Sequence, residues 1–288
     1  DWHIHVPGRP ATEGRQQYVI DFSRKDVRDN IFEQMSSVLD NYDIDYVKWD
    51  YNRNITESWS LGRDADRQAE FAHRYVLGVY DLFERIVNAN PNVFFEGCAG
   101  GGARFDPGVL YYFPQIWTSD DTDPIERLDI QQGLSYLYPQ STMGAHVSAS
   151  PHAQTLRSTP LATRGNVSFF GCLGYELDLK HLLPVEVSQI KVQTAFYKQY
   201  RHLFQYGTFR RNKLGWQVTD GEMAIAGVFH ELIHAGPGYE QLRVAGLEKD
   251  KLYKVRSLEQ KIRVGQFANL LKHVVPFPVS PNGIIVSA

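Results

Sequence analysis

The stretch of sequence that decides the fold reads Tyr46-Val47-Lys48-Trp49-Asp50-Tyr51-Asn52-Arg53. A short, mostly apolar strand runs here directly into a carboxylate, an amide and a guanidinium. Because side chains alternate between the two faces of a strand, Tyr46, Lys48 and Asp50 share one face. A cation and a carboxylate at the end of a buried strand cost free energy unless they are paired or take part in chemistry. The pattern therefore indicates a functional site at the end of this strand.

A second acidic cluster, Ser119-Asp120-Asp121-Thr122-Asp123, follows another short apolar stretch, and Asp120 lies seventy residues after Asp50. Asp123 precedes a proline and a glutamate, which predicts an N-cap at the start of a helix. Asp121 either orients the loop or pairs with Arg127. Asp120 is the first residue after the strand and is the better candidate for an acid/base carboxylate. Two strand ends that both carry carboxylates predict chemistry that uses a pair of acids.

Strands and helices alternate along the first two thirds of the chain. We predict strands at 17–22, 44–49, 92–96, 115–118, 144–148 and 166–171. We predict helices near 24–40, with Ser23 as the N-cap, and near 65–89, 153–162 and 184–204. This alternation implies a parallel sheet with helical crossovers. Polar residues just after the strands suit the active face of a (β/α)8 barrel, although a doubly wound open sheet also places ligands there.

The pattern changes from about Gly207, where short β-like runs at 223–229, 241–244, 251–255 and 284–286 alternate with polar turns. We therefore expect a partial (β/α)8 catalytic barrel over 1–206 and a small antiparallel β domain over 207–288. Only about six strands fit before residue 180, whereas a closed barrel needs eight. The expected fold class is thus an α/β, TIM-type barrel that lacks its first strands, followed by the all-β domain.

Composition and charge exclude several classes of function. The net charge is −3, without a long basic or acidic run, so nucleic acid and anionic membranes are poor candidate partners. No apolar run has the length of a membrane span. The two cysteines, Cys98 and Cys172, do not suggest a disulfide framework, and reduced thiols in a cytoplasmic protein are the simpler expectation.

Two other features suggest cofactors only weakly. The glycine-rich loop at 97–102 would let a ligand approach the backbone, but it matches neither nucleotide-binding fingerprint. His3 and His5 alternate like metal ligands, yet no metal-binding motif accompanies them. We therefore expect neither a metal nor an organic cofactor. For Cys98, packing or substrate contact is favoured over a nucleophilic role.

The position of Asp50 in the sequence allows two interpretations. It either caps a loop or pairs with Arg53, or it serves as a nucleophile. Lys48, two residues earlier on the same face, favours the ionised carboxylate that attack on a sugar carbon requires.

Three segments of the chain resemble glycoside hydrolase family 36, the bacterial and fungal α-galactosidases. They are residues 48–53, residues 96–108 (Glu-Gly-Cys-Ala-Gly-Gly-Gly-Ala-Arg-Phe-Asp-Pro-Gly) and residues 117–128 (Trp-Thr-Ser-Asp-Asp-Thr-Asp-Pro-Ile-Glu-Arg-Leu). Residues 5–10 and 175–179 fit the family as well. The resemblance is strong over about 1–205 and loose over the β tail.

The resemblance implies a retaining α-galactosidase with a (β/α)8 barrel, acting by double displacement without a cofactor. Asp50 matches the nucleophile of the family and Asp120 matches its acid/base. The expected substrate-binding residues are Arg15, Lys48, Trp49, Asn52, Cys98 and Trp117. The expected partner is an α-galactoside of the melibiose or raffinose type, and a homo-oligomer of the full-length protein is one option.

The chain also departs from the family pattern, because members carry an N-terminal β-sandwich and the first barrel strands before the point that matches Asp1. We therefore expect a fragment of a longer protein. Three alternatives remain open: a raffinose- or stachyose-type galactosyltransferase on the same scaffold, an α-N-acetylgalactosaminidase, and a module that only binds carbohydrate. Cys98 argues against the second, since it would fill the space near C2 of the sugar.

Overall fold

The computed structural model describes residues 2–232, 235, 240–258 and, for the backbone, 284–287 of the 288-residue chain. The chain divides into two compact units, Asp1–Asp120 and Asp121–Ala288. Among the described residues, no helix combines the length and the apolar character that crossing a bilayer would require.

The helices are α1 (Lys25–Asn41), α2 (Phe71–Ala89), α3 (Pro107–Tyr112), α4 (Pro124–Leu134), α5 (Leu161–Ser168) and α6 (Pro184–Tyr206). The strands are β1 (Tyr46–Asp50), β2 (Phe94–Cys98), β3 (Gln115–Trp117), β4 (Met143–Ser148), β5 (Cys172–Glu176), β6 (Thr208–Asn212), β7 (Gly215–Thr219), β8 (Ala224–Val228), β9 (Leu252–Val255) and β10 (Ile284–Ser287). Short 3₁₀ turns cover Ala65–Glu70, Gln140–Thr142 and Leu179–His181.

In the first unit, β1, β2 and β3 pair in that order and run parallel. Parallel neighbours need a crossover connection, which α2 provides between β1 and β2 and α3 provides between β2 and β3. The register places Asp50 beside Cys98 at the carboxyl ends of β1 and β2. The loops that follow these strands therefore meet at one edge of the sheet, which is where the predicted site lies.

Helix α2 packs its apolar stripe against the β1–β3 sheet. Its buried residues recur at helical spacing: Phe71, Tyr75, Gly78, Val79, Leu82, Phe83 and Ile86. The ring of Phe83 lies 4.4 Å from that of Phe113 and 5.1 Å from that of Trp49. Burial of each large apolar side chain is worth about 1.5–3 kcal/mol, so this contact anchors β1 firmly.

The second unit begins with a capped helix. The Asp123 carboxylate accepts a hydrogen bond from the Ile125 N–H at 2.9 Å, and Pro124 occupies the first turn. The predicted N-cap is thereby confirmed. Further along, β4 and β5 pair in parallel, and α5, α6 and β7 enclose an aromatic core. In that core the ring of Phe170 lies 5.3 Å from Phe204 and 5.5 Å from Trp216.

Antiparallel strands follow α6. Strands β6, β7 and β8 form one sheet, and β9 pairs with β10 in another. The last helix ends at Tyr206 and the first antiparallel strand begins at Thr208. The two compact units, by contrast, divide after Asp120. The domain boundary at 206/207 remains a prediction.

The predicted fold class is confirmed in its main features. The five strands from β1 to β5 alternate with helices, and their described pairings are parallel. Helices α1, α2 and α6 lie within a residue or two of the predicted positions, except that α2 begins six residues late because a 3₁₀ turn precedes it. Strands β8 and β9 fall within the predicted 223–229 and 251–255.

Several local predictions are wrong. Residues 17–22 form isolated bridges, not a strand. Of the predicted strand at 166–171, residues 166–168 belong to α5 and residues 169–171 form the turn that follows it. The predicted helix at 153–162 is mainly loop, and 241–244 has no strand. Ser23 does not cap α1: its hydroxyl donates to Asp21 at 2.6 Å, and Arg24 occupies the cap position. Helices α3 and α5 and strands β5, β6 and β7 were not predicted at their observed positions.

Candidate active site

The ends of β1, β2 and β3 bring four of the predicted site residues together. Lys48 and Asp50 share one face of β1, and Asp50 lies in register with Cys98 on β2. The Lys48 ammonium stands 4.2 Å from the centre of the Trp117 ring on β3. This distance is typical of a cation–π contact. Lys48, Asp50, Cys98 and Trp117 thus occupy one region of the first unit.

Asn52 connects Asp50 to the glycine-rich loop. Its Nδ2 donates to Oδ2 of Asp50 at 2.7 Å, and its Oδ1 accepts from the Gly100 N–H at 2.6 Å. The backbone N–H can only donate, which fixes the amide orientation and turns its NH2 group towards Asp50. Asn52 therefore holds one oxygen of the Asp50 carboxylate and fixes its orientation.

The Cys98 thiol is buried, with only 6% of the residue exposed. Burial, and secondly its hydrogen bond to the Asp50 carboxylate, raise the pKa of the Cys98 thiol to about 11. The thiol is therefore neutral near pH 7, and it is a poor nucleophile because the thiolate is the reactive form. Its position as a second donor to Asp50 agrees with a supporting role rather than a catalytic one.

Asp120 is exposed just beyond β3 and is held by one hydrogen bond, in which the indole N–H of Trp117 donates to its Oδ1 at 3.2 Å. The same Trp117 ring contacts the Lys48 ammonium with its face. A buried tryptophan thus orients both a cation and a carboxylate, while Asp120 remains accessible to a molecule from solution.

The glycine-rich loop packs against the backbone of Asp120. Gly101 has a φ of +82°, and a Cβ built there would lie 2.9 Å from the Asp120 nitrogen and 3.0 Å from the Ser119 Cα. Through Asn52 and Gly100 the same loop is hydrogen-bonded to Asp50. A single loop therefore sets the positions of both carboxylates. The sequence predicted close approach to a ligand here, but gave no signal for this contact with Asp120.

We expect Gly101→Ala to lower kcat/KM by about 10²-fold, since a displacement of about 1 Å in an active site has an effect of that size. The added methyl group would push on backbone atoms that cannot rotate away. Gly100→Ala is the matched control, because Gly100 also has a positive φ, +57°, but a methyl group added there would have no other atom within 4 Å. Both variants carry the left-handed backbone cost of roughly 1–2 kcal/mol, measurable by thermal unfolding. Equal activity of the two variants would contradict the role of the contact.

Trp49 lies on the opposite face of β1 from Lys48 and Asp50. Its ring packs 5.1 Å from Phe83 and 6.0 Å from Phe113. Strand alternation turns the partly buried Trp49 side chain towards α2, a position that does not favour substrate contact. The role of Trp49 in substrate binding remains a prediction.

Arg15 is exposed, with a φ of 54°, in a turn closed by hydrogen bonds between Gly14 and Gln17. The contacts described for the first unit do not join it to Asp50, so its role as a substrate ligand remains a prediction. An Arg53 nitrogen donates to the Thr12 carbonyl at 2.9 Å. The ion pairs found among the described residues do not include Asp50 with Arg53, so this alternative has no support.

Asp123 has a structural role in the second unit. It is fully buried and lies 2.7 Å from Arg157. Burial alone would raise the pKa of Asp123, but hydrogen bonds from Thr155, the Ile125 N–H and Arg157 outweigh it and bring the pKa below its ordinary value. The cap and the ion pair fully account for this residue.

Arg127 contacts Asp121, since Nε of Arg127 donates to the Asp121 carbonyl at 2.6 Å. Elsewhere, His3 and His5 stack with ring centres 4.5 Å apart. Within the described residues, no group of three or more His, Cys, Asp or Glu side chains has an arrangement that could hold a metal ion.

Comparison with known proteins identifies relatives over most of the chain. A family model described as Melibiase matches residues 1–207. The chain is 48% identical over 262 residues to α-galactosidase Mel36A of Lactobacillus acidophilus and 47% identical over 267 residues to α-galactosidase AgaA of Geobacillus stearothermophilus. These alignments cover 88% and 90% of this chain, which spans 36% and 37% of the length of the two relatives.

Solved structures give the same result. The crystal structure of the GH36 α-galactosidase AgaA from Geobacillus stearothermophilus superposes with a TM-score of 0.86 at 46% sequence identity. The superposition covers 88% of this chain and 37% of that chain. Variants of the same enzyme were crystallised in complex with raffinose and with stachyose.

Proposed function

Because the chain belongs to the melibiase family, we propose that the full-length protein is a retaining α-galactosidase that releases terminal α-linked galactose from galacto-oligosaccharides. One observation carries the proposal. The glycine-rich loop is bonded to Asp50 through Asn52 on one side and packs against the backbone of Asp120 on the other. A double displacement needs two carboxylates in fixed positions, and this loop holds both strand ends that carry them.

Asp50 is the proposed nucleophile. The groups that contact its carboxylate, the Asn52 amide and the neutral Cys98 thiol, both donate hydrogen bonds to it. Donors stabilise the ionised form, which is the form that attacks. In the first step a carboxylate oxygen of Asp50 forms a bond to the anomeric carbon, and the bond from that carbon to the glycosidic oxygen breaks.

Asp120 is the proposed acid/base. It donates its proton to the departing glycosidic oxygen and then, as a carboxylate, takes a proton from water. That water attacks the anomeric carbon, the ester bond to Asp50 breaks, and galactose leaves with its original anomeric configuration. Since the Trp117 N–H occupies only one Asp120 oxygen, the other is available for both transfers.

The spacing of two aspartates in a relative supports this assignment. Two crystallised variants of the Geobacillus enzyme, one with raffinose and one with stachyose, each carry a replaced aspartate, and the two positions are seventy residues apart. Asp50 and Asp120 are also seventy residues apart. The same complexes support raffinose-type galactosides as the proposed substrate class.

Lys48, Asn52, Cys98 and Trp117 are the proposed contacts of the galactosyl group, because they surround Asp50 at the strand ends. Arg15 is kept as a further proposed contact on the resemblance alone. A catalytic domain over 1–206, a β domain over 207–288, a cytoplasmic location and a homo-oligomeric full-length protein are proposals of the same kind.

The test is to follow hydrolysis of raffinose by the full-length protein with ¹H NMR. The expected first product is α-galactose, which mutarotates slowly to the β anomer. Initial formation of β-galactose would overturn the retaining mechanism. In a second reaction, p-nitrophenyl α-galactoside serves as the donor and excess sucrose as the acceptor, and predominant formation of a trisaccharide instead of free galactose would assign the protein to the galactosyltransferases.

A further inference from the structure

A buried acid, Glu96, lies next to the candidate active site and has no part in the proposed steps. Its side chain is only 1% exposed. In the parallel sheet it stands in register with Lys48 on β1 and with Gln115 on β3. Glu96 therefore lies on the middle strand, two residues before Cys98. Its side chain is on the face of the sheet that carries Lys48 and Asp50.

Glu96 is surrounded by hydrogen-bond donors. The Tyr46 hydroxyl donates to its Oε2, and Nε2 of Gln115 donates to the same oxygen at 3.1 Å. Nε2 of Gln115 also lies 3.4 Å from the Tyr46 hydroxyl oxygen. An ionised carboxylate only accepts hydrogen bonds, so this environment fits the charged form. Burial of that charge is costly unless a cation compensates it.

The compensating cation is Lys48. Its Nζ lies 3.6 Å from Oε1 of Glu96 and 4.2 Å from the centre of the Trp117 ring. The Lys48 side chain is still 35% exposed, so its ammonium remains able to reach a bound molecule. Lysine has a flexible stem and many rotamers. The Glu96 carboxylate and the face of the Trp117 ring together restrict the Lys48 side chain before any ligand binds.

We propose that Glu96 is a positioning residue for the glycosidase reaction, holding the Lys48 ammonium where it contacts the galactosyl group. The inference rests on the proposed function and adds a residue to it. Glu96 acts through Lys48 and does not touch the sugar. Tyr46 and Gln115 complete the arrangement by fixing the second oxygen of Glu96, so that the first faces Lys48.

The experiment is a double-mutant cycle in the full-length protein. Glu96→Gln keeps the shape of the side chain and removes its charge, and Lys48→Met removes the ammonium while keeping the length. We expect Glu96→Gln to lower kcat/KM for p-nitrophenyl α-galactoside by roughly tenfold to a hundredfold. In the Lys48→Met background the same change should alter kcat/KM less than about twofold, because the group it positions is gone.

The dissociation constant of galactose, measured by calorimetry, should follow the same pattern. Equal losses in both backgrounds would indicate a purely structural role for Glu96 and would overturn the inference. An unchanged kcat/KM in Glu96→Gln would also overturn it. Glu33→Gln, an exposed acid on α1, is the matched control and should be neutral.

If Glu96→Gln does not fold, Tyr46→Phe takes its place in the cycle. This change removes the hydroxyl that holds Oε2 of Glu96, and Tyr46 is half exposed, so the fold should tolerate it. A loss of a few-fold that disappears in the Lys48→Met background supports the inference, and no loss, or an equal loss in both backgrounds, overturns it.

The two failures can be told apart. A wild-type protein that neither binds galactose nor releases p-nitrophenol would refute the proposed function itself. A wild-type protein that does both, with Glu96→Gln equal to it, would refute only the role of Glu96.

Discussion

Asp50→Ala in the full-length protein is expected to lower kcat for raffinose on the order of 10⁵-fold, since loss of a nucleophile has effects of that size. The carboxylate forms the covalent bond to the sugar in the proposed mechanism, and neither Asn52 nor Cys98, its two hydrogen-bonding partners, can replace it. Steady-state assays of galactose release give the measurement. Thermal unfolding should show that the variant folds.

Azide provides a second readout for the same position. In Asp50→Ala the small anion can enter the vacated space and attack the anomeric carbon directly, which should yield β-galactosyl azide. Asp45→Ala is the control, since this acid is exposed and lies next to the other end of β1. Substantial turnover of raffinose by Asp50→Ala would refute the assignment of the nucleophile.

Asp120→Ala is expected to lower kcat/KM for raffinose by about 10²–10⁴-fold, the usual contribution of general acid catalysis. The loss should be much smaller for 2,4-dinitrophenyl α-galactoside, whose leaving group departs without a proton. Burst kinetics with the activated substrate would show that the covalent intermediate accumulates.

Rescue by azide distinguishes the two aspartates. In Asp120→Ala azide should react with the intermediate on Asp50 and give α-galactosyl azide, the opposite anomer from that expected for Asp50→Ala. Asp129→Ala, an exposed acid on α4, should behave like the wild type. An equal loss on both substrates would argue against a role in leaving-group protonation and would move the acid to another residue.

Helical periodicity and terminal signals predicted much of the fold. Helix α2 shows apolar residues at spacings of three and four, and the capping signature before α4 was read directly from Asp123 and Pro124. The same signature at Asp106 and Pro107 was present and overlooked. The Asp106 side chain accepts hydrogen bonds from the N–H groups of Gly108 and Val109, which begins α3.

Where the sequence-based prediction of secondary structure was wrong, tertiary packing determined the observed structure. The run around Phe169 and Phe170 has the β-branched and aromatic composition of a buried strand. In the structure the two residues form the turn that ends α5, because their rings enter the core beside Phe204 and Trp216. Local propensity has no information about partners so far away in the chain.

The candidate site was predictable where it depended on strand alternation. Lys48 and Asp50 on one face follow from the period of two, and the same rule places Trp49, a substrate contact that the family resemblance implies, on the opposite face. Glu96 could have been found only with the register of β1 against β2, and sequence alone does not supply that register.

The amide of Asn52 also sets a limit on how long the site stays intact. Asparagine is among the thermolabile residues, and its deamidation gives isoaspartate together with aspartate, of which aspartate has almost the same shape. That product would place a second carboxylate about where the Nδ2 donor now lies, 2.7 Å from Asp50. Two carboxylates at that separation cannot both stay ionised. Deamidation of Asn52 would therefore inactivate the nucleophile. The fold would be almost unchanged, and the mass of the protein would increase by only one dalton.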